Sequence, residues 1–428
     1  PPLARWTWNG THGRMAPLPR KFMAQTKSKS LSLRPESTGA HTARPVGPHT
    51  AYTHMKNIVV SLGASSAIAQ AGTPAPTLIL KPGPEYADEM RMFQGIPTIE
   101  SATNGRLWAA WYGGGIDEDE YNSVFLSTSG DDGRSWQCVL VIDPDGAGPL
   151  RAYDPCLWHD PDGKLWLFWS QETNGQTTTK EVFTITTTES GIGATKWSAP
   201  RQICKGVMMN KPTVAADGRW LLPVATWSAN GSSRVVASSD NGATFNELGA
   251  ANIPDVRRRN YDEHMIVERK DGSLWMLVRT NYGIGESVST DGGKTWPDVA
   301  PSSIPHPVSR FFIRRLASNR LLLVRHNPPN NCTKRSHLTA FLSDDEGRTW
   351  KGGLLLDERD RVSYPDGTQA SDGSIRVIYD YQRKTGKEIL MAAFTEADVL
   401  ECRIISPESR LRVLVNKATG TNPSALME

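Results

Sequence analysis

The chain has 428 residues and a formal net charge of +3, and 38% of its residues are hydrophobic. Residues 1 to 56 hold nine Lys or Arg and one acidic residue, Glu36, which leaves 39 basic and 44 acidic residues from position 57 onward. The body of the chain is therefore slightly acidic, and this balance argues against a nucleic-acid-binding protein.

The front of the chain does not have the pattern of a folded domain. Residues 1–54 are rich in Pro, Ser, Thr and Gly without an apolar period, which predicts a disordered or untranslated leader. From Met55 the sequence MKNIVVSLGASSAIAQAG has a basic start, an apolar stretch and small residues at Ala69 and Ala71. This order is typical of a secretory signal peptide, which we place at residues 55–72; the alternative is a chance run of small residues. If the signal functions, we expect a secreted or periplasmic protein, and otherwise a cytoplasmic one.

One pattern then occurs six times: an apolar run, a tight turn and a second apolar run. The turns centre on Gly105, Gly163, Gly218, Gly272, Asn319 and Gly373, at intervals of 58, 55, 54, 47 and 54 residues. A period near 54 suits one four-stranded antiparallel sheet per repeat. The sequence therefore predicts an all-β fold, a six-bladed β-propeller over residues 73–402, in which the inner strands surround one axial pocket. No stretch is long enough and apolar enough to span a bilayer.

A second signature follows the paired runs. The sequences SGDDGRSW, SSDNGATF, STDGGKTW and SDDEGRTW begin at Ser129, Ser238, Ser289 and Ser343, and a degenerate copy ends at Trp197. The Asp and Ser/Thr side chains can bond the turn backbone, Gly supplies a left-handed residue and the aromatic fills the blade. We interpret these aspartates as structural, and not as catalytic or metal-binding.

The ends of the propeller require separate assignments. Ring closure needs a strand from a terminus, and Thr77–Leu80 (TLIL) is the predicted donor to blade six. Residues 403–428 show no blade pattern and are interpreted as a tail. The five cysteines form no CxxC pair, so they do not indicate a redox compartment.

Charged and polar residues cluster at the starts of the predicted inner strands or at the ends of the second strands. They are Gln94, Asp154, Lys211, Glu263, Arg310 and Tyr364, joined by Arg279 and Arg335. Burying such groups together at one end of the propeller axis costs free energy unless hydrogen-bond partners or a ligand replace the water that they lose. This pattern predicts a binding or catalytic site on the propeller axis.

The repeats and these residues resemble the sialidase superfamily, in which the short signature is called an Asp-box or BNR repeat. The resemblance extends from Phe93 to about Thr395. EHMIVERKDGSLWMLVR from Glu263 to Arg279 matches a sialidase strand pair, and Arg335 begins the strand before the last box. Tyr364 opens the last blade, and Asp117 lies in the loop before the first box strand.

The resemblance implies a role for each matched residue. Tyr364 would be the nucleophile, Glu263 would accept its proton, and Asp117 would be the acid/base group. Arg279 and Arg335 would bind a substrate carboxylate. Gln94, Lys211 and Asp154 are candidate substrate contacts from their position alone. No metal or cofactor is expected, the expected partner is a glycan or oligosaccharide, and no obligate protein partner is indicated.

One residue departs from the family pattern. Sialidases carry a third carboxylate-binding arginine in a Phe/Tyr-Arg-Ile-Pro motif on the first strand, whereas this chain reads FQGIP from Phe93, with Gly95 in place of arginine. Gln94 offers hydrogen bonds without charge, and Arg91 comes too early to replace it. The departure is compatible with a retaining hydrolase and puts sialic acid itself in question.

Three functions therefore stay open. The first is a retaining exo-glycosidase that removes a terminal acidic sugar, the second a lyase acting on uronate polysaccharide, and the third a carbohydrate-binding propeller without turnover. Each residue also has a structural alternative. Glu263 could pair with Arg257, Arg258 or Arg259, Tyr364 could be an interior ring, Asp117 could belong to a solvated acidic run, and Arg279 and Arg335 could be salt-bridge struts.

Overall fold

The computed structural model describes residues 75–421, except 147, 174–179, 194–195, 228–229 and 330–333. The described residues belong to one compact unit, Ala69–Glu428. The expected leader at 1–54 and the signal segment at 55–72 lie outside the described residues, as does Cys332. None of the helices in the described part is long and apolar enough to cross a membrane.

The first half of the chain forms three antiparallel sheets, one for each sequence repeat. Blade one contains β1 (Thr77–Ile79), β2 (Phe93–Ser101), β3 (Leu107–Gly114), β4 (Ser123–Ser129) and β5 (Gln137–Asp143). Blade two contains β6 (Leu150–His159), β7 (Leu165–Thr173), β8 (Glu181–Thr187) and β9 (Arg201–Lys205). Blade three contains β10 (Thr213–Val214), β11 (Trp220–Ala225), β12 (Ser233–Ser238) and β13 (Asn246–Ala251).

The second half forms three further sheets and completes the ring. Blade four contains β14 (Arg259–Glu268), β15 (Leu274–Thr280), β16 (Gly283–Ser289) and β17 (Ala300–Pro301). Blade five contains β18 (Phe312–Arg315), β19 (Leu321–His326), β20 (Leu338–Ser343) and β21 (Lys351–Asp357). Blade six contains β22 (Val362–Gln369), β23 (Ile375–Tyr381), β24 (Glu388–Phe394) and β25 (Arg410–Lys417), with the short helix α1 (Glu396–Leu400) before β25. The predicted six-bladed β-propeller is confirmed.

Large aromatic side chains fill the space between neighbouring blades. Between blades two and three, the Trp220 ring lies 4.8 Å from the ring of Trp158 and 5.4 Å from that of Trp166, in edge-to-face contact. All three side chains are buried. Buried tryptophans contribute large apolar areas, so they hold adjacent sheets together although no strand hydrogen bonds join them.

The Asp-box hairpins connect the third and fourth strands of their blades and use their polar side chains internally. In the first copy, Ser129 Oγ donates to Asp131 at 2.7 Å and accepts from the Gly133 amide at 2.9 Å. Asp131 also accepts the amide and hydroxyl hydrogens of Ser135. The same bonds recur in the copies that begin at Ser238, Ser289 and Ser343. The structural interpretation of these aspartates is confirmed.

Closure of the ring differs from the expectation. Thr77–Ile79 does not join blade six, because β1 pairs with β5 and adds a fifth, outer strand to blade one. The fourth strand of blade six is β25, which pairs with β24 from Glu388↔Lys417 to Ala393↔Arg410. The interpretation of residues 403–428 as a tail without a blade strand is therefore wrong. Its pattern was hidden because β25 is an outer strand that is only partly buried.

Four of the inner strands carry a bulge on the side where they begin. In each of them a residue with a left-handed backbone lies at the bulge: Ile96 (φ 56°), Asp154 (φ 50°), Glu263 (φ 41°) and Tyr364 (φ 54°). Non-glycine residues in this region cost free energy, and such strain persists where the surrounding structure enforces it, often at functional sites. The bulges therefore mark the candidate site in the backbone itself.

Candidate active site

Glu263 and Tyr364 meet at the propeller axis although they lie in blades four and six. The Tyr364 hydroxyl donates to Glu263 Oε1 at 2.9 Å. Arg279 Nη1 donates to the same carboxylate oxygen at 2.6 Å and to the Tyr364 hydroxyl at 2.9 Å. All three side chains are buried. The structure thus brings together a phenol, a carboxylate and a guanidinium that are distant in sequence.

The electrostatics of this triad keep the phenol protonated at rest. Burial raises the pKa of Tyr364, and the adjacent Glu263 carboxylate raises it further, while the nearby arginines oppose the rise. Burial alone would lower the pKa of Arg279, but Glu263 and Tyr364 raise it. Glu263 Oε2 has no hydrogen-bond partner among the described residues. An unpaired buried carboxylate oxygen in a native protein calls for an explanation, and a ligand contact is one.

A buried network fixes the backbones that carry Glu263 and Tyr364. The Asn210 amide donates to the carbonyl oxygens of Glu263 and His264, both at 2.9 Å. Arg310 donates to Asn210 Oδ1 at 2.7 Å and to the Tyr364 carbonyl at 3.4 Å. These contacts explain how two residues with positive φ keep their orientation.

A cavity of about 680 Å³ opens beside the triad. Its lining includes Phe93, Asp117, Glu118, Arg335 and Arg383. The guanidinium carbons of Arg335 and Arg383 lie 5.7 and 5.0 Å from the centroid of the Tyr364 ring. Two cations thus connect the cavity to the phenol, which places a basic wall next to the candidate nucleophile.

Asp117 lies on an ordered loop at the rim of this cavity. Asp119 accepts hydrogen bonds from the amides of Ile116 (2.9 Å), Asp117 (3.1 Å) and Tyr121 (3.1 Å), so one carboxylate of the acidic run shapes the turn. The Asp117 carboxylate forms an ion pair with Lys384. Partial burial would raise the pKa of Asp117, but the hydrogen bond from Lys384 lowers it overall. The ion pair therefore favours the carboxylate form in the free protein.

Asp154 lies in the bulge of β6 and is buried. Burial raises its pKa well above the usual range, and the carboxylates of Glu118 and Glu263 raise it further. The raised pKa favours the protonated form of Asp154, in which a carboxyl group can donate a hydrogen bond as well as accept one.

Gln94 and Lys211 are not brought to the cavity. The Gln94 side chain accepts from Arg91 (3.2 Å) and Trp111 (3.0 Å) and donates to the Lys387 carbonyl (2.7 Å). Lys211 Nζ donates to the carbonyls of Ile99 and Leu157 and forms ion pairs with Glu100 (3.3 Å) and Asp366 (3.2 Å). Both side chains are thus bonded to protein groups and are not among the residues that line the cavity.

Two residues at the site were not singled out from the sequence. Arg383 lies in the turn between β23 and β24, within YQRKTG, which carries no motif. Asn210 precedes Lys211, and no motif in the sequence marks it. The repeated positions at the starts of inner strands could have indicated Asn210, but nothing local distinguishes Arg383.

The comparisons with known proteins agree with the fold. The family model described as a BNR repeat-like domain matches residues 105–377. A sialidase from Micromonospora viridifaciens is 26% identical over 74% of this chain and 55% of its own length, and a sialidase from Bacteroides fragilis is 25% identical over 67% and 59%. The chain thus spans little more than half the length of these curated relatives.

A solved structure shares the architecture. The Hadza microbial sialidase Hz136 matches 69% of this chain and 64% of its own, with a TM-score of 0.55 and 19% sequence identity. At this identity the similarity concerns the fold alone. The family model, by contrast, covers more than half of the sequence and includes all four complete hairpin signatures. The chain therefore belongs to the BNR repeat-like domain family, as the resemblance to sialidases in its sequence predicted.

Proposed function

We propose that this protein is a retaining exo-glycoside hydrolase of the sialidase type that removes a terminal acidic sugar from glycans. The observation that carries the proposal is the 2.9 Å hydrogen bond from the Tyr364 phenol to Glu263. A carboxylate in this position can take the phenol proton and so activate an otherwise weak nucleophile. The sialidase relatives support the same reaction class.

In the first step, Tyr364 Oη forms a bond to the anomeric carbon while the bond from that carbon to the leaving oxygen breaks. The phenol proton passes to Glu263, and Asp117 gives a proton to the leaving oxygen. In the second step, Asp117 takes a proton from water, and the resulting hydroxide displaces Tyr364, which regains its proton from Glu263. Two displacements at one carbon retain the configuration.

A tyrosine suits a substrate that carries its own negative charge. A neutral phenol approaches an anomeric carbon that bears a carboxylate without the repulsion that a charged nucleophile would meet, and sialidases are the known exception to the two-carboxylate scheme. The basic wall of Arg335 and Arg383 supports an acidic substrate. We further propose, from the signal-like segment that begins at Met55, that the protein is exported and acts on its substrate outside the cytoplasm.

Asp117 has to change its environment to donate a proton. In the free protein Lys384 stabilises its carboxylate form. A glycan entering the cavity would insert between the two loops and separate the ion pair, which raises the pKa of the carboxyl. Proton donation is therefore coupled to substrate binding.

The test is a screen of the purified protein on aryl glycosides of sialic acid, deaminated sialic acid and uronic acids. Hydrolysis with retained configuration, lost in Tyr364→Phe, is the expected result. A product that absorbs in the near ultraviolet would instead identify the lyase. Binding of these sugars without release of the aryl group would identify a carbohydrate-binding protein and refute the hydrolase.

A further inference from the structure

We propose that Arg383 and Arg335 together form the fork that binds the substrate carboxylate, and that Glu118 occupies Arg383 until the substrate displaces it. This inference rests on the proposed function only in identifying the bound anion as the carboxylate of an acidic sugar. It assigns anion binding to an arginine of blade six that no sequence motif marks.

Arg335 is a half-buried cation that lines the cavity. Its guanidinium donates to the Val308 carbonyl at 3.1 Å, and it forms no ion pair among the residues that the structure describes. Burial lowers the pKa of Arg335, and the charges of Arg279 and Arg383 lower it further, while Tyr364 and Glu263 oppose the shift without reversing it. Holding a half-buried guanidinium beside two others is unfavourable, and an anion in the adjoining cavity would relieve this. The site is therefore preorganised for a negative ligand.

Arg279 is already committed to the triad. Its Nη1 serves both Glu263 and Tyr364, and its side chain is buried. Arg335, Arg361 and Arg383 line the cavity, whereas Arg279, like Glu263 and Tyr364, does not. Arg335 and Arg383 are the lining arginines that lie over the Tyr364 ring, at 5.7 and 5.0 Å from its centroid.

Arg383 fills the space above Gly95. A Cβ atom built at Gly95 would overlap Cγ and Cδ of Arg383 and lie 2.9 Å from Asp380 Oδ2. The Arg383 carbonyl accepts from the Gln94 amide at 3.1 Å, and its Nε lies 3.9 Å from buried Asp380. Any side chain at position 95 would thus require the Arg383 side chain to move. The glycine that interrupts the first-strand motif makes room for an arginine from another blade.

Glu118 is the carboxylate that pairs with Arg383 at the rim of the cavity. Its Oε1 accepts from Arg383 Nη1 at 2.6 Å, and its side chain is 43% exposed, so solvent can reach and loosen this pair. Glu118 adjoins Asp117, which is paired with Lys384 in the same pair of loops. A substrate carboxylate that displaces Glu118 would therefore also loosen the loop that carries the proposed acid.

Calorimetric binding provides the first test, because it does not require turnover. The probes are N-acetylneuraminic acid, its deaminated analogue and glucuronic acid, each beside its methyl ester, in which the carboxylate is blocked. We expect the wild type to bind at least one acid over its ester. Arg383→Gln should weaken the binding of that acid about tenfold or more, because a charge-assisted contact is lost, and should leave the affinity for the ester unchanged. Glu118→Gln should raise the affinity for the acid several-fold.

Arg412→Gln is the matched control, because it removes one exposed arginine of blade six that pairs with Glu358 and does not line the cavity. Unchanged acid affinity in Arg383→Gln, equal losses for acid and ester, or no acid binding by the wild type would overturn the proposal. Binding that depends on Arg383 in a protein that hydrolyses none of the aryl glycosides would refute the proposed hydrolase and leave the fork intact.

A residue exchange gives the second test. Gly95→Arg alone should lower the melting temperature and the acid affinity, because the new side chain overlaps Arg383. Adding Arg383→Ala should remove the overlap, so the double variant should melt higher than Gly95→Arg alone and bind the acid better than either single variant. Simple additivity of the two substitutions would show that positions 95 and 383 do not share one space.

Discussion

Arg310 and Asn210 are joined by a hydrogen bond of 2.7 Å from the guanidinium Nε to the amide Oδ1. Asn210 holds the Glu263 carbonyl, and Arg310 lies 3.4 Å from the Tyr364 carbonyl. The proton acceptor and the nucleophile of the proposed reaction are thus linked through blades three and five as well as through their own side chains. Supporting contacts of this kind fix the relative position of two catalytic side chains.

Replacing Asn210 by alanine should therefore lower kcat more than it changes KM. The change frees the strained backbone at Glu263 and leaves Arg310 without one buried acceptor, which should cost about 1–3 kcal/mol of unfolding free energy. Steady-state kinetics and chemical denaturation check both effects. Asn104→Ala is the control, because Asn104 is an exposed amide bonded to the Gly191 carbonyl on a distant turn. Equal kinetic effects of the two variants would contradict the positioning role.

Tyr364→Phe should abolish turnover while the fold and the affinity for the acidic sugar are retained, because only the phenol oxygen is removed. Rapid quenching of the wild type with a slow substrate should trap a sugar covalently bound at Tyr364, detectable by mass spectrometry of peptides. Tyr282→Phe is the control, because Tyr282 is not among the residues that line the cavity and its hydroxyl forms no hydrogen bond with the triad in the described part of the chain. Hydrolysis that survives in Tyr364→Phe would show that another group is the nucleophile.

Lys384→Gln should shift the basic limb of the pH profile of kcat/KM to higher pH. The hydrogen bond from Lys384 lowers the pKa of Asp117 in the free protein, so its removal raises that pKa and keeps the acid protonated to a higher pH. Lys351→Gln is a control of equal exposure, with a side chain 58% exposed against 57% for Lys384. A basic limb that is unmoved, or moved to lower pH, would exclude Asp117 as the acid.

Asp398→Asn should destabilise the closure of blade six. Asp398 accepts the amide hydrogens of Ile405 and Ser406 and the hydroxyl hydrogen of Ser409, and so ties α1 to the segment that leads into β25. Burial would raise its pKa, but these hydrogen bonds lower it overall.

The stabilisation by Asp398 should be present above the ordinary pKa of Asp, near 3.9, and lost as the pH falls through the lower folded-state value. Melting temperatures of the wild type and Asp398→Asn should therefore differ at pH 7 and converge toward pH 2. Asp298→Asn is the control, because Asp298 is exposed, and this variant should have the melting temperature of the wild type at both pH values. A constant difference between wild type and Asp398→Asn across this range would contradict a role of the ionised carboxylate.

The strands and hairpins could be predicted because their signals are local. An apolar run, a glycine turn such as Gly105 and the Ser-Asp-Gly pattern from Ser129 each act within a few residues, and six copies reinforce one another. The outer strand β25 escaped prediction because partial burial leaves few constraints on its sequence. Glu263, Tyr364 and Arg279 were indicated by motifs, and the structure brings them within 2.9 Å of one another.

The sequence by itself determined the blade repeat, the hairpins and the residues that meet at the axis, because each of these is written in short-range patterns of polarity and turn chemistry. Only the tertiary structure decided which of the polar groups face free space. Lys211 is bonded to partners from other blades, the Gln94 amide donates to the Lys387 carbonyl of blade six, and Arg383 enters the site because Gly95 leaves room for it. Such assignments depend on contacts between residues about 50 to 300 positions apart, which no local pattern records.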